Sequence, residues 1–191
     1  MPRLEGGYTP EIWAYDYPEG ADVRPFGDET TYRTGLGWLY GQCDDVQDWG
    51  CGPAYGRRFC PPGKSYLGVD GSSSSAGLAD VVCELTAWHP DPKPGGIFMR
   101  HVLEHNEFNW QDILRNALES FDRRFCLVVF TPFTALATHR IRPPGDPYCD
   151  LAFNYGDLTS RLDGHRWRLE ALPTDTQYGS ETIFYIERPL S

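Results

Sequence analysis

The stretch VQDWGCGPAYG, residues 46–56, decides how this chain is read. An apolar-led run ends in Asp48. Gly50, Gly52 and Gly56 follow closely, with Cys51 between the first two. A glycine-rich turn directly after a strand brings backbone close to a ligand, because no Cβ stands in the way. The N–H groups of such a turn, and the amino end of a helix behind it, favour a negatively charged group. Gly50, Cys51 and Gly52 suit that role. Their spacing, G-C-G-x-x-x-G, is neither the G-x-G-x-x-G of dinucleotide enzymes nor a G-K-[ST] phosphate loop. Taken alone, a G-x-G is as readily a tight structural turn.

The segments around it give the turn a context. DVQDW (45–49), SYLGVDG (65–71), ADVVCEL (79–85), the start of GIFMRHVLEH (96–105) and FCLVVFTPF (125–133) read as strands. The last is a continuous β-branched and aromatic run, as in a strand covered on both faces. Helices are expected over 28–42, with Asp28 as N-cap, and over 109–121, where Ile113, Leu114, Ala117, Leu118 and Phe121 fall at helical spacing behind Asn109. A short helix starts near Asp157 and stops at Gly164. HRWRLEALP (165–173) and ETIFYIERP (181–189) alternate with period two around a turn-rich loop, the pattern of an antiparallel hairpin. The chain is therefore α/β, with a mostly parallel sheet closed by an antiparallel hairpin. SSSSAG, between the second and third strands, is shorter than the roughly ten residues a crossover helix needs, so that crossover is reduced. Residues 1–27, rich in Pro, Gly, Tyr and Asp, form an irregular arm ahead of one domain over 28–191.

Composition limits the function classes. The 191 residues suffice for one domain with a sizeable core. A net charge of −10 argues against nucleic acid as partner, since a broad cationic surface supplies most affinity for phosphate backbones. None of the six cysteines forms a C-x-x-C pair, and Cys83 and Cys126 lie in apolar runs. They read as buried thiols in a reducing compartment rather than disulfides or zinc ligands. No leader-like or membrane-length apolar run occurs, so a soluble cytoplasmic protein is expected.

In sheets of this type ligands sit beyond the carboxyl ends of the strands. Asp70 ends the second strand about 20 residues after the turn, where an acid accepts hydrogen bonds from ribose hydroxyls. Its plainer reading is an N-cap or a solvated loop acid. Glu84 follows the third strand and HVLEH the fourth. Together DWGCGPAYG (48–56), YLGVD (66–70), ADVVCEL (79–85), FMRHVLEH (98–105), LVVFTPF (127–133) and the terminal hairpin resemble the class I S-adenosylmethionine-dependent methyltransferases of the type 11-like, small-molecule branch, over residues 28–189. The resemblance implies a Rossmann-like seven-stranded sheet in the order 3-2-1-4-5-7-6. It implies S-adenosyl-L-methionine as cofactor and S-adenosyl-L-homocysteine as product. Gly50, Cys51 and Gly52 would hold the methionine end, with Asp48 beneath them. Asp70, with Gly71 and Ser72 beside it, would take the ribose. Glu84 and Leu85 would border the adenine, Arg100 and His101 would floor the pocket, and Tyr32 would cover it, its plainer reading being a buried helix aromatic. PKPGG (92–96) precedes the fourth strand, whereas the family's L-K-P-G-G precedes the fifth.

Methyl transfer from a sulfonium needs in-line approach of a nucleophile, and most of the rate gain comes from positioning. A base is needed only where the acceptor loses a proton, and histidine is the natural choice. His101, His105 and His139 are the candidates. HVLEH also matches the H-x-x-E-H zinc-protease pattern, but its first histidine ends a strand-like run instead of sitting on a helix. Some members of the family it resembles carry E-V-x-E-H here and bind a divalent cation, and this chain keeps Glu104 and His105 with His101 in place of the first acid. Whether it binds a metal stays open. Thr131, Pro132 and Phe133 end the fifth strand where acceptors bind. The loop 139–150 and Trp13, Tyr15 and Tyr17 of the arm are candidate covers. The expected partner is a small-molecule acceptor, with no membrane and with a homodimer left open. The alternatives are a non-catalytic cofactor-binding scaffold and a metal-assisted methyltransferase of RNA ends or hydroxylated metabolites.

Overall fold

The computed structural model describes residues 27–72, 77–142 and 149–189. Its elements run α1 (Thr30–Tyr40), β1 (Asp45–Trp49), a 3-10 turn (Tyr55–Phe59), β2 (Ser65–Asp70), β3 (Val81–Val82), β4 (Gly96–Arg100), a second 3-10 turn (Leu103–His105), α2 (Trp110–Glu119), β5 (Arg124–Val129), β6 (His139–Arg140), β7 (Leu151–Ala152), α3 (Tyr155–Ser160), β8 (Arg166–Pro173) and β9 (Ser180–Glu187). Seven strands form one sheet in the order β3-β2-β1-β4-β5-β9-β8, and β6 and β7 form a separate ribbon. β1 to β5 are mutually parallel, and β9 runs antiparallel to both β5 and β8. This is the expected order, with β8 and β9 as the closing hairpin.

Period-two alternation sorts the side chains onto two faces. Trp49, Ile97, Met99, Phe125, Leu127, Val129, Phe184 and Ile186 face α2 and α3. Val46, Phe98, Cys126, Val128, Ile183 and Tyr185 face α1. Trp49, Phe98, Phe125 and Phe184 are fully buried, and each contributes about 1.5–3 kcal/mol. α1 lies close on its face because Gly35 has no side chain, and a Cβ there would come within 2.7 Å of both Cys126 Sγ and a Phe98 ring carbon. The glycine that weakens the helix intrinsically is what lets it dock.

The termini of the elements depart from the expected bounds for local reasons. Glu29, not Asp28, is the N-cap of α1, but Asp28 still accepts the Thr30 N–H at 2.7 Å. The cap of α3 is Asn154, whose side chain accepts the Asp157 N–H. The strand expected over 79–85 shrinks to Val81–Val82, paired with Val69 and Asp70, and the ladder ends at Gly68, whose N–H goes to the Asp80 side chain at 2.6 Å instead of to a backbone carbonyl. The crossovers out of β1 and β3 are also reduced. A 3-10 turn follows the glycine turn where a helix was expected, and among the described residues no α-helix lies between β1 and β4.

Residues 1–26 of the arm, with Trp13, Tyr15 and Tyr17, lie outside the described residues, as do 143–148 of the loop 139–150. No helix among the described residues is long and apolar enough to cross a membrane. All six cysteines are free, four of them buried.

Candidate active site

The glycine turn leaves β1 at the carboxyl edge of the sheet. Gly50 and Gly52 have φ values of +76° and +50°, and Ala54 follows at +57°. A Cβ on Gly50 would lie 2.2 Å from Val102 Cγ2, so strain and collision both demand glycine there. Gly50→Ala is expected to cost about 2–4 kcal/mol, of which Val102→Ala recovers part by removing the colliding methyl. Chemical denaturation of the single and double variants measures both effects.

The N–H groups of this turn are engaged within the protein. Those of Gly50 and Cys51 donate to the Val69 carbonyl at 2.8 and 3.2 Å. That of Gly52 donates to Asp70 Oδ2 at 2.7 Å, while the other carboxylate oxygen of Asp70 takes the Ser72 N–H at 2.7 Å. The expected anion-binding amide nest with a helix behind it is therefore corrected. The amides tie β1 to β2, while the Cys51 carbonyl takes the Ala54 N–H at 2.9 Å and the Gly52 carbonyl faces Cys51 Sγ at 3.6 Å, each keeping a second lone pair for a positively charged group. Asp70 sits at the tip of β2 with its carboxylate plane fixed by both neighbouring loops. Gly71 lies beside it, and among the described residues a Cβ there would meet only the Cys83 carbonyl, at 3.6 Å.

Asp48 lies below the turn, 2% exposed, and accepts the Tyr66 hydroxyl at 2.6 Å. Burial pushes its carboxyl up to about 7 against the pull of the Tyr66 bond, with Asp70 adding to the rise. An unfolded aspartate ionises near 3.8. Between those values the folded state holds a proton that the unfolded state has lost, so this group's contribution to stability falls as pH rises and is lowest above about 7. Asp48→Asn is expected to stabilise the protein at pH 9, by at most about 4 kcal/mol, and to give no gain below the ordinary aspartate range. Melting temperature against pH for both proteins measures this. Cys51 is a packing group, since burial raises its thiol far above the usual range. Of the adenine-side candidates, Leu85 is buried and Glu84 exposed. Asn116 of α2 donates to the carbonyls of Leu85 and Trp88 and so fixes this loop.

Across β4 the site changes character. His101 takes a positive φ of +56°, which turns the chain sharply out of the strand. Its Nε2 lies 2.6 Å from Glu181 Oε1. The same oxygen takes Arg100 Nη2 at 2.5 Å, and Thr31 donates to Glu181 Oε2 and accepts from Arg100 Nε. Arg100 also lies over the Tyr32 ring, which is packed in the α1-side core. Burial, then the Arg100 charge, lowers the His101 imidazole to about 3 although Glu181 pulls the other way, so it is neutral at physiological pH. A group of such low basicity is a poor proton acceptor near neutrality.

His105 is placed differently. Its Nδ1 lies 2.7 Å from the Cys149 carbonyl and 3.5 Å from Asp150 Oδ1. A carbonyl accepts, so Nδ1 is the donor and Nε2 the basic nitrogen of the neutral ring. Asp150 is fully buried, and its other oxygen receives Arg142, Gln177 and Tyr178. Phe130, at the end of β5, packs between His101, His105 and Tyr178. Glu104 anchors the second 3-10 turn by accepting the Phe130 N–H at 2.7 Å, and burial pushes its carboxyl up to about 8. Among the described residues no three metal-ligating groups converge. His101, Glu104 and His105 turn to Glu181, Phe130 N–H and Cys149 respectively. His139 is exposed on the β6–β7 ribbon and hydrogen-bonds the Ala137 carbonyl of its own loop. Thr131 is buried and donates to the Leu151 carbonyl, and Phe133 packs against Phe184 and Tyr155.

A cleft at the opposite, amino edge of the strands is lined by Lys93, Arg115, Arg161 and Arg188. Its arginines are already engaged. Arg188 donates to the Glu119 and Phe121 carbonyls at the end of α2, Arg161 pairs with Asp157, and Arg115 pairs with Asp112.

Neither a family model nor a curated protein matches this chain. Solved structures do. The 1,6-didemethyltoxoflavin-N1-methyltransferase of Burkholderia thailandensis, with 1,6-didemethyltoxoflavin and S-adenosylhomocysteine bound, superposes with a TM-score of 0.70 at 17% identity, over 95% of this chain and 87% of that one. The magnesium protoporphyrin IX methyltransferase of Synechocystis PCC 6803, with S-adenosylhomocysteine bound, gives 0.66 at 17% identity, over 95% and 96%. The chain has the class I methyltransferase fold. The N-methyltransferase NodS of Bradyrhizobium japonicum WM9, also with S-adenosylhomocysteine bound, agrees at a TM-score of 0.63 and 12% identity, over 95% and 97%. Within this fold the glycine turn and Asp70 stand at the tips of β1 and β2, where the strand order reverses toward β4.

Sequence reading missed Thr31, Tyr66, Asp150, Tyr178 and Glu181. Glu181 carried a signal, because it falls in phase with Ile183 and Tyr185 on the buried side of an alternating strand. Asp150 carried none, since it stands outside any periodic segment.

Proposed function

We propose that this protein is an enzyme that transfers a methyl group from S-adenosylmethionine to a small-molecule acceptor. The observation that carries the reading is the cross-linked pair of strand tips, where a positive-φ glycine turn is bound through Gly52 N–H to the carboxylate of Asp70. That pair fits a nucleoside with an amino-acid tail. The carboxylate of Asp70 accepts from ribose hydroxyls, the turn carbonyls accept from the ammonium group, and Leu85 gives the base an apolar border. The cofactor supplies an activated methyl on a sulfonium, so the protein's work is positioning and, for an acceptor bearing a proton, its removal.

His105 is the proposed base. Its Nδ1 is held by the Cys149 carbonyl beside Asp150, which orients Nε2 to take a proton, and Phe130 and Tyr178 form the adjoining aromatic wall. His101 supports the site through Glu181 without titrating near neutrality. The free cysteines and the acidic charge fit a cytoplasmic protein acting on a metabolite.

The test is turnover of methyl-labelled cofactor against a panel of hydroxylated and aromatic amine metabolites. His105→Gln is expected to lower kcat about 100-fold or more for a hydroxyl acceptor and to leave cofactor affinity unchanged. Cofactor binding without turnover on any acceptor would support a binding module instead.

A further inference from the structure

β8 is the outer strand of the sheet, and seven of its eight residues are exposed. Among the described residues no strand pairs with its outer side. Long exposed edges invite pairing with another chain. Two hydrogen bonds fix which groups this edge presents. Thr174 N–H donates to the Gly179 carbonyl across the hairpin, and Arg188 N–H donates to the Arg123 carbonyl on the β5 side. In the register of β8 on β9, alternation then points the even-numbered residues of β8 at β9. Trp167, Leu169 and Ala171 therefore present their N–H and C=O groups outward. Pro173 occupies an outward position too, where its missing N–H is not needed by β9.

We propose that the outer partner of β8 is β8 of a second copy of this chain, paired antiparallel about a two-fold axis at Leu169, which makes one continuous sheet across two subunits. The outward phase lets odd-numbered residues pair only with odd-numbered ones. Centring the axis on residue 168 sets Arg168 against Arg168 of the partner subunit, and centring it on 170 does the same for Glu170. Centring on 167 sets Arg166 against Arg168 of the partner subunit. Centring on 169 sets Arg168 against Glu170 of the partner subunit, twice by symmetry, in the non-hydrogen-bonded positions where side chains approach most closely. The same register places Leu169 on its own copy and Trp167 on Ala171 of the partner subunit, on the opposite face. Trp167 and Leu169 are 36% and 37% exposed in the single chain, an apolar pair at an isologous contact. Tyr185 holds both charged side chains in place, since Arg168 stacks on its ring at 3.8 Å and Glu170 accepts its hydroxyl at 2.9 Å.

Sedimentation and light scattering of the full chain, from low to high micromolar concentration, test this. The wild type is expected to reach about twice the 21.7 kDa of one chain. Arg168→Glu and Glu170→Arg each place like charges together and are expected to give a monomer. The double variant R168E/E170R restores opposite charges and is expected to recover the dimer. Ala171→Pro removes an outward N–H that β9 does not use, and is expected to give a folded monomer by circular dichroism. A monomeric wild type, a dimer indifferent to the single reversals, or a double variant that stays monomeric overturns the proposal.

Discussion

Asp70→Asn is expected to weaken S-adenosylmethionine binding at least roughly 100-fold, measured by isothermal titration. Two losses combine. The carboxylate is the acceptor proposed for the ribose hydroxyls, and hydrogen bonds to a charged group are worth about 1.5–3 kcal/mol each. It is also the link between the Gly52 and Ser72 N–H groups. An asparagine offers one oxygen and turns its NH2 toward one of those donors, so the turn over Asp48 loses its anchor. The change is therefore expected to lower the melting temperature as well. Unchanged affinity in a folded Asp70→Asn protein would remove the basis for the cofactor site.

Glu181→Ala is expected to be the most destabilising single change, by about 3–5 kcal/mol, or roughly 10 °C in melting temperature. Glu181 is fully buried and receives Arg100, His101 and Thr31. Truncating it removes the carboxylate that pairs with the buried Arg100 guanidinium at 2.5 Å, and the cost of keeping that desolvated charge with weaker compensation, more than the lost attraction, sets the size of the effect. Replacing both partners with apolar residues of similar size, in R100M/E181L, is expected to cost less than Glu181→Ala alone. The pH dependence has a definite sign. Burial raises the Glu181 carboxyl, but His101, Arg100 and Thr31 outweigh it and hold the group below its usual value. His101 is likewise lowered, to about 3 from 6.5. For both groups the unfolded chain binds protons that the folded chain refuses. Their stabilisation is complete above about pH 6.5 and is lost progressively on acidification toward pH 3. Denaturant melts between pH 3 and 8 should show that slope in the wild type, and a shallower one in Glu181→Ala.

Much of this architecture is legible in the residues. The continuous apolar run FCLVVF, the alternation in ETIFYIE and the helical spacing behind Asn109 yield the strands, the helix and the two-sided core, because burial imposes those periods directly, whereas the strand order comes only with the family resemblance. The glycines of 50–56 and the acid at 70 locate the strand tips, since positive φ and close approach restrict what can stand there. What escapes the sequence is pairing at long range. Nothing local says that Glu181 meets Arg100, 81 residues away, or that Asp150 stands behind His105. The role of the glycine-turn amides escapes it for a related reason. Spacing shows that an amide is available but not that the Val69 carbonyl and Asp70 already engage it. Nor does spacing distinguish His101 from His105, which differ in the charge and burial of their neighbours rather than in any local pattern.

The most direct measurement is a crystal structure of the protein grown with S-adenosylhomocysteine. The account predicts the nucleoside across the tips of β1, β2 and β4, with both ribose hydroxyls on Asp70 and the amino group on the carbonyls of the 50–52 turn. Tips closed by protein, or the ligand seated in the amino-edge cleft beside Arg115 and Arg188, would contradict it.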